Sequence, residues 1–315
     1  MTPTFELVFC GTPQFAVPTL EKLVEAGFRV PLVITQPDRP KGRGLELGAS
    51  PVKQSAEKLG IPIYQPAKIK QNEDLRAKLE ATRPGAIVVV GYGRIIPPWM
   101  LELPPLGNIN LHGSLLPKYR GAAPVQWAIA KGETVTGVTT MRIDEGLDTG
   151  DILSQQKLAI LDEDTSETLA PKLAAMGADL MIETLLGLQT GVMQPQKQDN
   201  ALATLAPILK KEDGRIEFGR TAQEIYNRLR GFQPWPGAFI SFRGKGLNVT
   251  AIKLASEQVP QGELLVKDGQ LFVGCGNNSA IELLELQPEG KKRMSAKDFV
   301  HGYRPQTAER LGDRS

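Results

Sequence analysis

The sequence contains only two cysteines and two histidines among its 315 residues, and this scarcity excludes several classes of protein. Cys10 and Cys275 cannot form the repeated pattern of a disulfide framework, and a reducing cytosol suits two isolated thiols. A structural zinc site needs Cys or His ligands at close spacings such as Cys-x-x-Cys, and the sequence has none. We therefore expect a cytoplasmic protein that holds no metal.

Long apolar runs are missing as well. No stretch approaches the roughly 20 apolar residues that a membrane-spanning helix requires. The N-terminus has no basic region followed by an apolar stretch and a cleavage site, so we expect neither a signal peptide nor a membrane partner. The segment 11–15, Gly-Thr-Pro-Gln-Phe, lacks the Gly-x-Gly-x-x-Gly pattern that brings a backbone close to a pyrophosphate. A nicotinamide dinucleotide is therefore not expected.

The remaining composition is ordinary for a globular protein with a sizeable core. The chain is 41% hydrophobic and 23% charged, and its length suggests two domains. Residues 1–200 carry 20 basic and 22 acidic side chains, whereas residues 201–315 carry 17 basic and 13 acidic ones. The C-terminal part therefore has a modest excess of positive charge, which favours binding of a polyanion, although the net charge of ordinary solvated surfaces varies by as much.

Alternating strand and helix patterns run through the first part of the chain. The run Ala86–Val90 is wholly apolar and stops at Gly91, which is typical of a strand buried in a parallel sheet. Further strands are predicted at 5–10, 29–35, 61–64, 108–112, 138–143 and 152–160, and helices at 14–26, 52–59, 72–81, 124–130 and 165–188. This order predicts a Rossmann-like, doubly wound, mostly parallel sheet in an α/β domain over residues 1–189.

A second domain is predicted at residues 208–315, after a polar, irregular linker at 190–207. It opens with a helix at 221–229, for which Thr221 and Glu224 form a capping box. Short strands separated by Gly-rich turns follow at 238–242, 248–254, 264–267, 271–274 and 281–286, with a closing helix at 295–300. Five such strands predict a small OB-like β-barrel.

A polar pair at one strand end is the first sign of a functional site. Asn110 and His112 are two residues apart, so their side chains face the same side of the predicted strand. Asp148 lies between Gly146 and Gly150, where a backbone can approach a ligand closely. A buried histidine with satisfied hydrogen bonds is the alternative. The shared face, the Ser-Leu-Leu-Pro turn that follows and the second polar cluster favour a site.

Three segments resemble the folate-dependent formyltransferases, and the methionyl-tRNA formyltransferases most closely. They are Asn-x-His at 110–112, Ser-Leu-Leu-Pro at 114–117 and Leu-Asp-Thr-Gly-Asp at 147–151. In that family these segments surround the formyl carbon, and the resemblance runs over almost the whole chain. It implies transfer of the formyl group of 10-formyltetrahydrofolate to methionyl-initiator tRNA, giving N-formylmethionyl-tRNA for translation initiation.

The resemblance also implies roles for individual residues. Asn110 and His112 would donate N–H groups to the oxyanion, and Asp148 would manage the proton transfers, directly or through a water. The folate co-substrate would be bound by Arg94, Ile95, Ile96, Ser114, Leu115, Leu116, Pro117, Glu145 and Leu147. For Ile96, a place in the core is the alternative. Neither a metal nor a nicotinamide is implied.

Two basic segments point to the tRNA. The loop at 37–51 places Arg39, Lys41 and Arg43 among Gly and Pro, and its composition alone leaves a solvated loop equally open. In the methionyl-tRNA formyltransferases a basic insertion here wedges into the acceptor end, and Arg43 matches the wedge arginine. Lys291, Lys292 and Arg293 would contact tRNA from the OB-like domain, and a solvated run is the alternative.

Other proteins share part of this sequence pattern and remain as alternatives. Glycinamide ribonucleotide transformylase and the hydrolase half of formyltetrahydrofolate dehydrogenase use the same Asn, His and Asp. Amino-sugar nucleotide formyltransferases share Ser-Leu-Leu-Pro and an OB-like tail, but a small sugar substrate does not require the basic loop. A non-catalytic tRNA-binding protein on this scaffold would not need Asn110, His112 and Asp148 intact. We expect a monomer.

Overall fold

The computed structural model describes residues 3–41 and 46–312. Backbone contacts divide the chain into two compact units. The first comprises Met1–Pro124, Val135–Ala159 and Leu169–Pro207, and the second comprises Val125–Thr134, Ile160–Thr168 and Ile208–Ser315. Within the described ranges, no helix is both long and apolar enough to cross a membrane.

The secondary structure alternates in the first part of the chain and is strand-rich in the last part. The strands are β1 (Glu6–Gly11), β2 (Arg29–Ile34), β3 (Arg39–Lys41), β4 (Glu46–Gly48), β5 (Ile63–Tyr64), β6 (Ala86–Val90), β7 (Asn108–His112), β8 (Val135–Arg142), β9 (Ile152–Ala159), β10 (Ala238–Phe242), β11 (Lys245–Ala255), β12 (Leu264–Lys267), β13 (Gln270–Cys275), β14 (Ser279–Pro288) and β15 (Met294–Ser295). The α-helices are α1 (Val17–Glu25), α2 (Pro51–Lys58), α3 (Glu73–Thr82), α4 (Pro98–Leu101), α5 (Pro124–Ala130), α6 (Ser166–Thr190), α7 (Ala222–Gly231) and α8 (Ala296–Tyr303). Short 3-10 helices cover Gln14–Ala16, Asn200–Leu202 and Lys211–Gly214.

A seven-stranded sheet in the order β5-β2-β1-β6-β7-β8-β9 forms the centre of the first unit. The strands from β5 to β7 are parallel, and β8 and β9 extend the sheet in antiparallel fashion. All five residues of β6 are buried, which explains why this strand is apolar throughout. The prediction of a Rossmann-like, mostly parallel sheet is confirmed.

Strand β7 lies where the sheet changes from parallel to antiparallel pairing. Asn110 pairs with Val89 of β6 on one side and with Met141 of β8 on the other. Ile109 and Leu111, which alternate with Asn110 along the strand, are buried in the core. The polar side chains of β7 therefore face the opposite side of the sheet from its apolar ones.

The second unit contains an antiparallel sheet in the order β10-β11-β14-β13-β12, with β15 added beside β14. Helix α8 closes its core, where the ring of Phe299 stacks on Tyr303 and meets Phe242 edge to face. Buried aliphatic side chains from β11, β13 and β14 fill the rest of this core. The prediction that short strands form an antiparallel β domain here is confirmed.

The basic loop at 37–51 is more regular than its composition suggests. Its two sides pair as β3 and β4, with Arg39 opposite Gly48, and this pairing lets backbone N–H and C=O groups satisfy each other. Asp38 anchors the base by accepting hydrogen bonds from Lys53 Nζ at 2.6 Å and from Gln65 Nε2 at 2.7 Å. Both contacts lower the pKa of the Asp38 carboxyl, and the contact with Lys53 lowers it most. The two ends of the loop at 37–51 are therefore paired strands.

Candidate active site

His112 ends strand β7 and is buried, with 6% of its surface exposed. Its Nε2 lies 2.9 Å from the carbonyl oxygen of Tyr119. A carbonyl can only accept, so Nε2 must carry the proton in this contact. The other ring nitrogen, Nδ1, lies 3.7 Å from Oδ2 of Asp148. His112 is therefore oriented by one backbone carbonyl and presents its second nitrogen to a carboxylate.

Asp148 lies in the loop between β8 and β9, with its side chain 17% exposed. Its Oδ2 accepts a hydrogen bond from the backbone N–H of Gly121 at 2.8 Å, and its backbone carbonyl accepts one from Gln198 Nε2 at 2.8 Å. Its φ is +52°, a left-handed conformation that is uncommon for a residue with a side chain. The loop thus holds the carboxylate in a strained backbone position beside His112.

The glycines that flank Asp148 are required by packing inside the loop. A Cβ atom on Gly150 would lie 1.9 Å from the carbonyl oxygen of Arg142, and one on Gly146 would lie 2.0 Å from Thr149 Oγ1. Thr149 Oγ1 also donates to the carboxylate of Asp144, at 2.7 Å from Oδ1. The sequence suggested that these glycines let a ligand approach, but in the structure they let the loop fold tightly.

The Ser-Leu-Leu-Pro turn follows β7 and is anchored to β8. Ser114 is fully buried, and its hydroxyl donates to the carbonyl of Lys118 at 2.6 Å. Thr139 of β8 donates to the carbonyl of Ser114 and accepts from the N–H of Leu116. Leu116 is buried, whereas Leu115 and Pro117 are half-buried. The side chains of Ser114 and Leu116 therefore shape the turn.

The Arg94–Ile96 segment follows β6, at the same edge of the sheet as the end of β7, because the two strands are parallel. Ile96 is buried and packs with Met100 in the core, whereas the side chain of Ile95 is 86% exposed. The Nε of Arg94 is buried and has no hydrogen-bond partner among the described residues. A buried donor without a partner is uncommon in a folded protein and is explained if a bound molecule supplies the acceptor.

Exposed apolar surface also occurs on the loop that carries Asp148. Leu147 is 62% exposed, and the neighbouring Glu145 is exposed as well. An exposed leucine beside a polar pair offers apolar contact to a ligand, although a single exposed leucine is common on protein surfaces.

Family models match most of the chain. The model described as formyl transferase matches residues 6–185, and that of the formyl transferase C-terminal domain matches residues 208–304. The chain belongs to the formyl transferase family.

Relatives of high sequence identity indicate which members of the family this chain resembles. A methionyl-tRNA formyltransferase of Koribacter versatilis is 63% identical over 306 residues, which cover 97% of this chain and 98% of the relative. One of Acidobacterium capsulatum is 60% identical over 309 residues, covering 98% and 99%. The resemblance to methionyl-tRNA formyltransferases is therefore confirmed.

Solved structures share the fold at low identity. The sugar 3N-formyl transferase WlaRD, crystallised with dTDP and 5-N-formyl-THF, aligns with a TM-score of 0.66 and 20% identity over 92% of this chain and 100% of its own. The N-formyltransferase of Helicobacter canadensis aligns with a TM-score of 0.65 and 21% identity over 90% of this chain and 100% of its own. At such identity the likeness shows the family fold alone.

A segment that the sequence marked only as linker contacts the Asp148 loop of this formyl transferase. Gln198 binds the carbonyls of Asp148 and Gly150, and the buried Arg120 binds Gln198. Thr204 O accepts a hydrogen bond from the N–H of Arg120. No motif marks Gln198 or Thr204, since both lie in a polar, Gln- and Pro-containing stretch. Only their position in the folded unit distinguishes them.

Four of the basic residues proposed for tRNA are described by the structure with their side chains, and all four are exposed. Lys291, Lys292 and Arg293 are exposed between β14 and β15, and Arg293 forms an ion pair with Glu285 at 3.5 Å. In the basic loop, Arg39 is exposed and its Nη2 donates to Gln36 Oε1 at 2.5 Å. Arg43 and the side chain of Lys41 lie outside the described residues.

Proposed function

We propose that the chain transfers the formyl group of 10-formyltetrahydrofolate to the amino group of methionyl-initiator tRNA. The observation that carries the proposal is the approach of His112 Nδ1 to Asp148 Oδ2, at 3.7 Å, on the face of β7 that also holds Asn110. The high identity to methionyl-tRNA formyltransferases over nearly the whole chain supports this choice of substrates. We further propose that the protein acts as a monomer in the cytoplasm.

Two donors on β7 would stabilise the charge that develops during transfer. When the amine attacks the formyl carbon, the carbonyl oxygen becomes an oxyanion that needs preorganised N–H donors. The carboxamide of Asn110 supplies one, and the ring of His112 supplies the other. Because Nε2 is already bonded to Tyr119, Nδ1 is the nitrogen that faces the substrate. To donate to the oxyanion, Nδ1 would need a proton of its own in addition to the one on Nε2.

Asp148 would carry the proton transfers. The attacking nitrogen must lose a proton and the leaving N10 must gain one, and Asp148 is the carboxylate beside His112. The 3.7 Å separation exceeds a direct hydrogen bond, so neither group is saturated by the other and both can reach a substrate atom or a water beside them. A covalent intermediate on Ser114 is not part of the proposal, because that hydroxyl is buried and donates to Lys118.

The folate would lie between the two loops that expose apolar side chains. Ile95 and Leu147 offer apolar contact to the flat pterin ring, and Arg94 has a buried donor available. The remaining members of the proposed pocket contribute backbone groups or shape: Ile96, Ser114, Leu115, Leu116, Pro117 and Glu145. This composition fits a mostly apolar site with a few convergent polar groups.

An amino-sugar nucleotide is the second candidate acceptor, because the sugar formyl transferases share the fold. The test compares formyl transfer from 10-formyltetrahydrofolate to methionyl-initiator tRNA, methionyl-elongator tRNA and a dTDP-amino sugar. We expect the highest kcat/KM with the initiator tRNA. Faster transfer to the amino sugar than to either tRNA would overturn the proposal.

For the basic loop we predict a specific effect on the tRNA. Arg43→Ala should raise the KM for methionyl-tRNA on the order of tenfold and reduce the salt slope by about one unit, since one guanidinium contact is lost. The KM for the folate should stay unchanged, because the loop is not proposed to touch the pterin. Steady-state formylation at several salt concentrations measures both constants.

The matched control for this prediction is Arg29→Ala. Arg29 is an exposed arginine at the start of β2, where it pairs with Glu6. We expect its replacement to leave both Michaelis constants unchanged. If Arg43→Ala behaves like this control, Arg43 belongs to a solvated loop and the amino-sugar candidate gains support.

A further inference from the structure

We infer that Gln198 and Arg120 are positioning residues that hold Asp148 toward His112 during the transfer. The inference rests on the proposed function, and it extends the site to a segment about 50 positions along the chain from Asp148. Neither side chain is placed in contact with a substrate. Their action is on the loop that carries the carboxylate.

The side-chain amide of Gln198 uses its full hydrogen-bonding capacity. Nε2 donates to the carbonyl of Asp148 and to that of Gly150, both at 2.8 Å. Oε1 accepts from Arg120 Nη2 at 2.7 Å and Nε at 3.1 Å. Since an amide nitrogen has two hydrogens and its oxygen two lone pairs, every site on Gln198 is matched. Gln198 therefore joins the two ends of the Asp148 turn and ties them to Arg120.

Arg120 determines which way the Gln198 amide points. A guanidinium has donors and no acceptor, so it must face Oε1, and this leaves Nε2 facing the loop carbonyls. Arg120 is 7% exposed, and its Nη2 also donates to Asn200 Oδ1 at 2.8 Å. A buried charge requires such pairing, and its fork geometry orients the amides more strictly than an ammonium group could.

Three consecutive residues connect the clamp, formed by Gln198 and Arg120, to the pair His112 and Asp148. The carbonyl of Tyr119 binds His112, the side chain of Arg120 binds Gln198, and the N–H of Gly121 binds the Asp148 carboxylate. A displacement of this short segment would therefore move the imidazole and the carboxylate together. Its position is maintained from the linker side, where Thr204 accepts from the N–H groups of Tyr119 and Arg120.

The left-handed backbone of Asp148 explains why a clamp is needed. A residue with a side chain at φ +52° is strained, and such conformations persist only where surrounding contacts impose them. Gln198 binds the carbonyl of Asp148 itself, and so acts at the strained peptide. Without it the loop can relax, and Asp148 would move relative to His112.

The test replaces the donor side of Gln198 while keeping its size. Gln198→Glu retains an acceptor for Arg120 but turns a carboxylate oxygen toward two carbonyls, and Gln198→Met removes all four bonds. We expect both to lower kcat for formylation of methionyl-tRNA about 100-fold, the usual effect of misplacing a reacting group by about 1 Å. The KM for the folate should change less than about threefold, because the loss concerns the transition state.

Two further variants separate positioning from general damage. Arg120→Lys keeps the charge but not the fork, so it should retain more activity than Arg120→Met. Gln194→Glu makes the same substitution on an exposed residue of the same segment and should behave as wild type. Thermal unfolding of all variants is measured in parallel.

A measurement that needs no formyl acceptor tests the inference separately from the proposed function. In a His301→Ala background His112 is the sole histidine, so its ring NMR signals are unambiguous. We expect these signals to shift in Gln198→Glu and to remain in place in Gln194→Glu. If wild type does not formylate methionyl-tRNA, the proposed function fails, and the ring signals alone decide the inference.

Three results would overturn the inference. The first is a kcat for Gln198→Glu within about threefold of wild type, and the second is that the His112 signals do not move in this variant. The third is that its folate affinity, or its fraction of folded protein, falls by as much as its kcat. The last result would assign Gln198 to general stability.

Discussion

Asp148→Asn is expected to lower kcat by about 100- to 10,000-fold, the usual contribution of a positioned acid–base group. The variant is nearly isosteric, and its side-chain oxygen can still accept from the N–H of Gly121. It therefore keeps the geometry of the loop but removes the charge and the proton acceptor. Binding of the folate, measured by fluorescence, should be affected much less than the rate.

The control for this prediction is Asp179→Asn, which changes an exposed carboxylate on α6. Its kcat should equal that of wild type. If Asp148→Asn keeps near-normal turnover with methionyl-tRNA, the assignment of proton transfer to Asp148 is wrong, whatever the distance to His112.

The second large effect is expected at the two donors of β7. His112→Ala and Asn110→Ala should each lower kcat about 100- to 1000-fold, because each would remove one of the two proposed donors to the oxyanion. His112→Ala also removes the group that donates to the buried carbonyl of Tyr119, so some loss of stability accompanies it. Single-turnover formylation measures the chemical step without product release.

Two variants check that these losses are catalytic. His112→Gln offers an N–H to the Tyr119 carbonyl without an imidazole, so it should recover stability but not rate. His301→Ala removes the other histidine, on the exposed side of α8, and should have no effect on turnover. A rate for His112→Gln equal to that of wild type would show that the imidazole is not needed as a donor.

Local sequence patterns predicted much of the fold, for reasons visible in single elements. The apolar run Ala86–Val90 became a fully buried strand, because a parallel strand covered on both faces has no polar position. Thr221 and Glu224 form the expected reciprocal capping box at the start of α7, since that contact needs only residues three apart. The capping contacts also lower the pKa of Glu224.

The candidate site was predictable only where its residues lie in one short segment. Asn110 and His112 share a face because a strand alternates, and this follows from their spacing alone. The approach of Asp148 to His112 does not follow from spacing. Because β8 runs antiparallel to β7, it ends beside the start of β7, and the loop after β8 must fold back toward the end of β7 to bring Asp148 to His112. For that contact, resemblance to a family provided the expectation that periodicity could not.

Local patterns were therefore enough to predict the alternation of elements, the polar face of β7 and the resemblance to formyltransferases. Only the folded structure shows that Gln198 binds the carbonyl of Asp148 while Arg120 binds Gln198, and that Gly146 and Gly150 serve loop packing. The physical reason is the range of the interactions. Strand alternation and helix caps depend on neighbours a few residues apart, whereas Gln198 contacts residues 78 and 50 positions away, and these meetings depend on the whole folded unit.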